Sequence, residues 1–229
     1  LQACVDENFK DNPSPTPDNE IMIQLKVPGI SAESRSLDEK SENAVKDLIV
    51  LAFNANGDFL YKSEARLKTD DDNNIKTCYA LLKEGKQDLM FLANCKSIIE
   101  SFQIPRNATK ETFRSRLKIT LSGKWKTDDK FTPLPMWGEK NEITIVPDMS
   151  IEDEEAIPLI RSIAKVDLTI NRSEVPNDEL TLKQVYLYHW SSSSRIIPDK
   201  NVWDDVNYKV TDISTGAGVY TTKEQAVLY

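Results

Sequence analysis

The sequence has few of the residues that catalytic and metal sites need. Among 229 residues it contains one histidine, His189, and three cysteines, Cys4, Cys78 and Cys95. These are too few for a Cys/His zinc site. A Ser-His-Asp or Cys-His catalytic group would have to use His189, which lies in the run VYLYHW and is interpreted as a strand or loop-edge histidine. Acidic residues are abundant, but their spacing places no carboxylate pair of the glycosidase kind. We therefore expect neither an enzyme nor a bound cofactor or metal.

Long apolar runs and an excess of basic charge are also missing. No apolar run approaches the ~20 residues of a membrane-spanning helix. The net charge of −8 argues against a sequence-independent nucleic-acid partner, which needs a basic face. The stretch TDDDNN at residues 69–74 lacks the glycine and the glutamate of a calcium-binding loop, and it predicts a solvated turn. A content of 39% hydrophobic and 29% charged residues is typical of a folded globular protein.

The N-terminus predicts lipidation. It reads LQAC, with a small residue before Cys4 and a leucine three positions back, which is the pattern that lipoprotein signal peptidase recognises. Cys4 would then be the acylated first residue of the mature protein. The segment that follows is rich in Pro, Asp and Asn, so residues 1–20 are interpreted as a lipobox remnant and a tether.

The stretch from Ile21 to Leu60 contains two predicted strands. Strict alternation over residues 21–29 places four aliphatic side chains on one face, and these are Ile21, Ile23, Leu25 and Val27. A period of two indicates a half-buried strand. The run LIVLAF that ends at Phe53 predicts a more deeply buried strand, closed by an Asn56-Gly57 turn into a hairpin partner. Between the two strands lies a polar joint with one basic residue, Arg35. Our hypothesis is that the first strand is removable, that Arg35 marks the cut, and that a strand from another subunit fills the groove.

Further short strands with turns between them, and few helical stretches, predict a mostly β sandwich. One helix is expected after Thr109, which is a candidate cap, with Phe113 and Leu117 one turn apart. A hairpin with Gly85 in its turn is expected to bring Cys78 and Cys95 towards each other. Both a disulfide and two buried free thiols stay open for this pair, because directly opposed cysteines fit disulfide geometry poorly.

The acidic stretch SIEDEEA at residues 150–156 predicts a domain border. We expect an N-terminal β-sandwich domain over residues 21–150. Residues 151–229 would form the start of a C-terminal β domain, which holds few predicted strands and is expected to be minimal or cut short in this sequence.

Several of these segments resemble the fimbrillins of Bacteroides-like Gram-negative bacteria, the type V pilus subunits. The similar segments are LQAC, SRSLD, DLIVLAFNANGDFLY, LKEGKQDLMFLANC, LPMWGE and LIRSIAKVDLTI. They run through most of the chain, and together they are more specific than any one of them alone.

The resemblance implies two transthyretin-like β-sandwich domains, export as an outer-membrane lipoprotein through Cys4, and trimming by an arginine-specific protease. Arg35 matches the residue before the cut, and Ser36 would become the new N-terminus. The implied partners are other fimbrial subunits, joined by strand addition, and the implied location is the cell surface. The family's C-terminal donor strand is not found in these residues, and whether the subunit is a stalk, an anchor or a tip protein stays open.

One alternative is a surface lipoprotein that binds a glycan or a host protein and never polymerises. Its aromatic platform would use the four tryptophans, which are Trp125, Trp137, Trp190 and Trp203. Scattered tryptophans are more often core or interface residues.

Overall fold

A computed structural model of the chain describes residues 20–27, 43–68, 74–120, 133–163, 166–169, 185–190, 193–198, 216–220 and 225–228. Along the chain the elements are β1 (Glu20–Lys26), β2 (Leu48–Phe53), β3 (Phe59–Glu64), β4 (Arg66–Leu67), β5 (Ile75–Leu81), β6 (Gly85–Ala93), α1 (Lys96–Ser101), α2 (Lys110–Arg116), β7 (Lys118–Thr120), β8 (Met136–Ile145), β9 (Ser150–Ile151), a 3-10 helix (Asp153–Glu155), β10 (Ile157–Pro158), β11 (Ile160–Arg161), β12 (Val166–Thr169), β13 (Val185–Trp190), β14 (Ser193–Arg195), β15 (Gly216–Tyr220) and β16 (Gln225–Leu228). The predicted mostly β fold is confirmed.

Two sheets form the sandwich. Sheet 1 has the order β10-β1-β5-β4, with β9 also paired to β1, and sheet 2 has the order β11-β8-β6-β2-β3. Between the sheets lies the first core, which contains the inward residues of β1 together with Val50, Cys78 and Phe91. The second core lies on the opposite face of sheet 2, beneath α1 and α2, and it contains Leu51 and Phe113.

The position of β2 explains its sequence. All six of its residues are buried, because alternate side chains enter the first core and the second core. A strand that is covered on both faces reads as a continuous apolar run, which is what LIVLAF shows. The predicted hairpin from β2 into β3 is confirmed, with Gly57 at a φ of 81° in its turn.

Helix α2 is where the sequence predicts a helix. The Thr109 side chain accepts a hydrogen bond from the backbone N–H of Thr112, and the Thr112 hydroxyl accepts one from the Thr109 N–H, which makes a reciprocal cap. The Phe113 ring is fully buried and packs edge-on against Phe53 at 5.5 Å between centroids. The same ring lies 5.3 Å from that of Phe59 on β3, so the helix covers sheet 2 through aromatic contacts that its capped first turn positions.

Two chain segments cross between the sheets and close the sandwich on both sides. Strand β3 of sheet 2 continues through Ala65 into β4 of sheet 1, and β10 of sheet 1 continues through Leu159 into β11 of sheet 2. The second crossing lies close to β8 at Gly138, where a Cβ atom would come within 2.8 Å of the Pro158 carbonyl oxygen. Gly138 therefore leaves room for the crossing.

The predicted hairpin around Gly85 is wrong. Strand β5 pairs with β1 and β4 in sheet 1, whereas β6 pairs with β2 and β8 in sheet 2. The chain changes sheets between the two strands, so Cys78 lies in the first core and Cys95 in the second. Both cysteines are buried, and they form no disulfide with each other.

The predicted border near residue 150 falls within paired strands. Strands β9 and β10 pair with β1, and β11 pairs with β8. The acidic residues between them form a short 3-10 helix, not a linker. Farther along, β14 pairs with β7, and Ile196 and Ile197 belong to the second core. Strands β12 and β13 form antiparallel ladders with β16 and β15.

Candidate functional site

Strand β1 lies inside sheet 1 and has a neighbour on both edges. It pairs antiparallel with β5 along all seven of its residues. On the other edge it pairs in parallel with the short strands β9 and β10. Two further backbone bonds continue the contacts at its C-terminal end, from the Val27 N–H to the Asn74 carbonyl and from the Leu159 N–H to the Lys26 carbonyl, each 2.8 Å.

The predicted alternation of β1 is confirmed by burial. The four inward aliphatic side chains are almost fully buried, with exposures of 1% for Ile21, 0% for Ile23, 0% for Leu25 and 5% for Val27. Across the ladder, Ile21 faces Ala80 and Ile23 faces Cys78. Branched side chains on β1 thus lie beside small ones on β5. The Cys78 thiol donates to the Ile23 carbonyl at 3.4 Å.

The outward face of β1 makes two specific polar contacts. A guanidinium nitrogen of Arg66 on β4 contacts both carboxylate oxygens of Glu20, at 3.0 and 3.1 Å. The same guanidinium lies 4.5 Å from the centre of the Tyr79 ring on β5, which limits its orientations. Near the other edge, the backbone N–H of Asp153 donates to the Gln24 side-chain oxygen at 3.0 Å. None of these outward contacts is evident from the sequence, in which Arg66 is one of 29 lysine and arginine residues.

The remaining predicted site residues are not placed. Cys4, Arg35 and Ser36 lie outside the described residues, as do Trp125 and Trp203. For Trp190 and His189 the structure describes only the backbone of β13.

Trp137 is 8% exposed and belongs to the second core, so it is not part of an exposed aromatic platform. Within the part of the chain that the structure describes, no cluster of His, Cys, Asp and Glu could hold a metal ion. The helices of the same part are all too short or too polar to cross a membrane.

A partly buried charge network attaches α2 to sheet 2. The Lys110 ammonium donates to Asp88 at 2.6 Å and to Glu139 at 2.8 Å, and Arg114 pairs with the second carboxylate oxygen of Glu139. Burial acts to raise the pKa of Asp88, but hydrogen bonds from the Glu142 N–H and from Lys110 outweigh it, so the pKa lies below its usual value. Arg114 also donates to the Pro198 carbonyl at 3.0 Å. All its members are paired with one another, which indicates a structural role.

Comparison with known proteins gives consistent results. The sequence model for the major fimbrial subunit protein (FimA) matches residues 23–172, which is more than half of the chain. The fold is similar to that of the tip fimbrial protein Mfa3 from Porphyromonas gingivalis, solved with a C-terminal truncation. The TM-score is 0.59 at 17% identity, over 93% of this chain and 68% of that one.

A candidate cell adhesion protein from Parabacteroides distasonis is also similar, with a TM-score of 0.57 at 14% identity, over 92% of this chain and 66% of that one. The chain thus spans about two thirds of the length of these two proteins. No curated protein sequence matches it. On the match over residues 23–172, this chain belongs to the major fimbrial subunit family of cell-surface fimbrial proteins.

Proposed function

We propose that the chain is a structural or adhesive subunit of a cell-surface fimbria, assembled by addition of a strand from another subunit into the groove that residues 21–29 vacate. One observation carries the proposal: β1 precedes every other described strand, yet it lies in the interior of sheet 1 with its aliphatic side chains buried. A cut in the joint after β1 would leave it attached to the rest of the protein by non-covalent contacts alone.

Binding of a new strand in the vacated groove would be energetically favourable. Burying one such aliphatic side chain contributes ~1.5–3 kcal/mol, so the four contribute roughly 6–12 kcal/mol before ordering entropy is subtracted. The loss of β1 would also leave β5 with an open edge of unpaired N–H and C=O groups. An extended segment with the same alternation would restore both the ladder and the apolar contacts.

Export and trimming complete the proposal. Cys4 would carry the acyl chains that hold the subunit in the outer membrane, because several chains on one cysteine bind far more firmly than one. Residues 5–20 would serve as the tether. An arginine-specific protease would then cut between Arg35 and Ser36, in a polar stretch with no strong secondary-structure pattern. The family is one of fimbrial proteins, and we expect no enzymatic activity.

Limited digestion with an arginine-specific protease tests this proposal. We expect one early cut that gives Ser36 as the new N-terminus, followed by ladders of oligomers on a gel when subunits that carry a donor strand are added. The Arg35→Ala variant should resist the cut and stay monomeric, whereas the control Arg106→Ala, at an exposed arginine, should be trimmed like the wild type. Normal trimming of Arg35→Ala would refute the site. Trimmed protein that stays monomeric in the presence of those subunits would favour the non-polymerising surface lipoprotein that binds a glycan or a host protein.

A further inference from the structure

We propose that Arg66 and the backbone N–H of Asp153 fix the register of the strand that fills the β1 groove. The incoming segment, from another fimbrial subunit, would carry a carboxylate and, four residues later, a side-chain hydrogen-bond acceptor, with aliphatic residues at the inward positions. This inference rests on the proposed function, because it concerns the same groove after β1 has left.

Alternation alone does not determine the register. Side chains in a strand repeat every two residues, so sliding the strand by two positions keeps every aliphatic residue inward. A segment shifted by two would place Ile23 where Ile21 lies, with little change in apolar contact. Because Ala80 and Cys78, which lie opposite these positions on β5, are both small, the neighbouring strand distinguishes weakly between the registers. The contacts that distinguish one register from another must therefore lie on the outward face of the strand.

The outward contacts lie near opposite edges of β1 and involve residues four positions apart. Arg66 lies on β4, beyond β5, and contacts Glu20 near the start of β1. Asp153 lies in the turn between β9 and β10 and contacts Gln24. A slip of two residues in one direction would place Met22 beside Arg66 and Lys26 beside the Asp153 N–H. The opposite slip would place Asp18 beside Arg66 and Met22 beside the Asp153 N–H. Because lysine has no acceptor and a methionine sulfur is a weak one, both donors meet an oxygen acceptor only in the native register.

Both donors belong to parts of the protein other than β1. Strand β4 holds Arg66 through its pairing with β5, where Arg66 lies opposite Tyr79 in the ladder. Asp153 follows β9, whose Ile151 is 2% exposed and belongs to the first core. A replacement strand would therefore meet donors positioned by residues that do not leave with β1.

The contacts act on specificity more than on affinity. The side chains of Arg66 and Glu20 are 63% and 36% exposed, and exposed ion pairs contribute little to binding. Most of the affinity comes from the inward aliphatic residues, which a shifted strand also supplies. The polar contacts therefore serve to separate registers that apolar burial leaves nearly equal.

A strand-exchange experiment on the complete chain tests the inference. A recognition sequence for a sequence-specific protease is inserted between Arg35 and Ser36, so that cutting leaves β1 in place without a covalent link. The probe is a fluorescent peptide of residues 18–29, and its uptake into the cut protein is followed by anisotropy. The competitor has its two acceptors exchanged as Glu20→Leu and Gln24→Lys, so that no register presents an acceptor at both places. We expect this competitor to bind roughly fivefold more weakly than the native peptide.

Charge reversal separates a register contact from a general effect. A peptide with Glu20→Arg should bind the wild-type protein weakly and regain affinity on the Arg66→Glu protein. The matched control is Lys62→Glu, which reverses an exposed charge on β3 and should restore nothing. Equal uptake of the native and exchanged peptides would overturn the register inference and leave the proposed function standing. Failure of every peptide to enter the cut protein would overturn both.

Discussion

Asn94 holds the end of β6 in a conformation that most residues avoid. Its φ is 58°, in the left-handed region, where asparagine is tolerated better than other residues with a side chain. Its amide nitrogen donates to the carbonyl oxygens of Ala44 and Leu134 at 2.9 and 2.7 Å, and its side-chain oxygen accepts from the Lys46 N–H at 2.8 Å. One side chain thus joins the segments that lead into β2 and β8 to the end of β6.

Replacement of Asn94 should be among the more damaging single substitutions outside the core. We expect Asn94→Ala to lower the free energy of unfolding by about 3 kcal/mol. The substitution removes three hydrogen bonds, and alanine at a positive φ is strained without a side-chain hydrogen bond to offset the strain. Asn94→Gly loses the same bonds without the backbone strain and should be less destabilising. Urea denaturation measures both, and equal stability of Asn94→Ala and the wild type would contradict this role.

Side-chain contacts between residues distant in sequence were the least predictable feature of the structure. The Ala93-Asn94 pair was recognisable as part of a family-like segment, but nothing in the sequence indicated its three bonds. Arg66 and Asp153 are distant in sequence from Glu20 and Gln24, and such contacts follow from topology, not from local pattern. Thr109 was predictable because a helix cap involves residues only three apart.

Among the elements, β1 and β2 were predictable and the pairing of β5 was not. Periodicity reports which face of a strand is buried, and β1 is buried on the predicted face. The continuous apolar run of β2 predicts deep burial, and all six of its residues are buried. Periodicity does not report which strand lies alongside. A glycine between β5 and β6 favoured a hairpin, but the chain uses this glycine to begin β6 in the other sheet.

At Gly138 the β10–β11 crossing closely approaches β8. We expect Gly138→Ala to lower the free energy of unfolding by roughly 1–3 kcal/mol, because its Cβ would meet a backbone oxygen that cannot move independently. The methyl group would also contact Ile157 and Leu159, at 2.9 and 3.0 Å from the ideal Cβ position. Chemical denaturation gives the measurement.

The control for this crowding is Thr144→Ala, at an exposed position of the same strand, which should change stability by less than about 0.5 kcal/mol. Because β10 also pairs with β1, crowding at Gly138 should loosen one wall of the β1 groove. Similar losses for both variants would show that the close approach at Gly138 does not limit stability.

In the whole molecule, removal of β1 would divide sheet 1 but leave sheet 2 intact. Strand β5 would stay connected to sheet 2 through the β3–β4 crossing, and β10 through the β10–β11 crossing. The charge network and the second core hold α2 on the far side of sheet 2, away from β1. This arrangement predicts that β1 can leave without general unfolding. The reactivity of the two buried cysteines distinguishes loss of β1 alone from unfolding of the whole sandwich.

Cys78 lies on β5 beside Ile23 of β1, whereas Cys95 lies in the second core, and both are 0% exposed. Burial raises the pKa of the Cys95 thiol to about 12, so it stays protonated and unreactive while the second core is intact. In a Cys4→Ser background with the chain cut between Arg35 and Ser36, a thiol reagent should label Cys78 about tenfold or more faster than in the uncut protein. Cys95 should be labelled at an unchanged rate, and addition of the peptide of residues 18–29 should slow the labelling of Cys78 again.

Mass spectrometry assigns the labelled site, and protein in denaturant gives the intrinsic labelling rate of each thiol. A parallel rise at both cysteines would mean that the sandwich unfolds when β1 leaves, and the groove would then not persist to receive a partner strand.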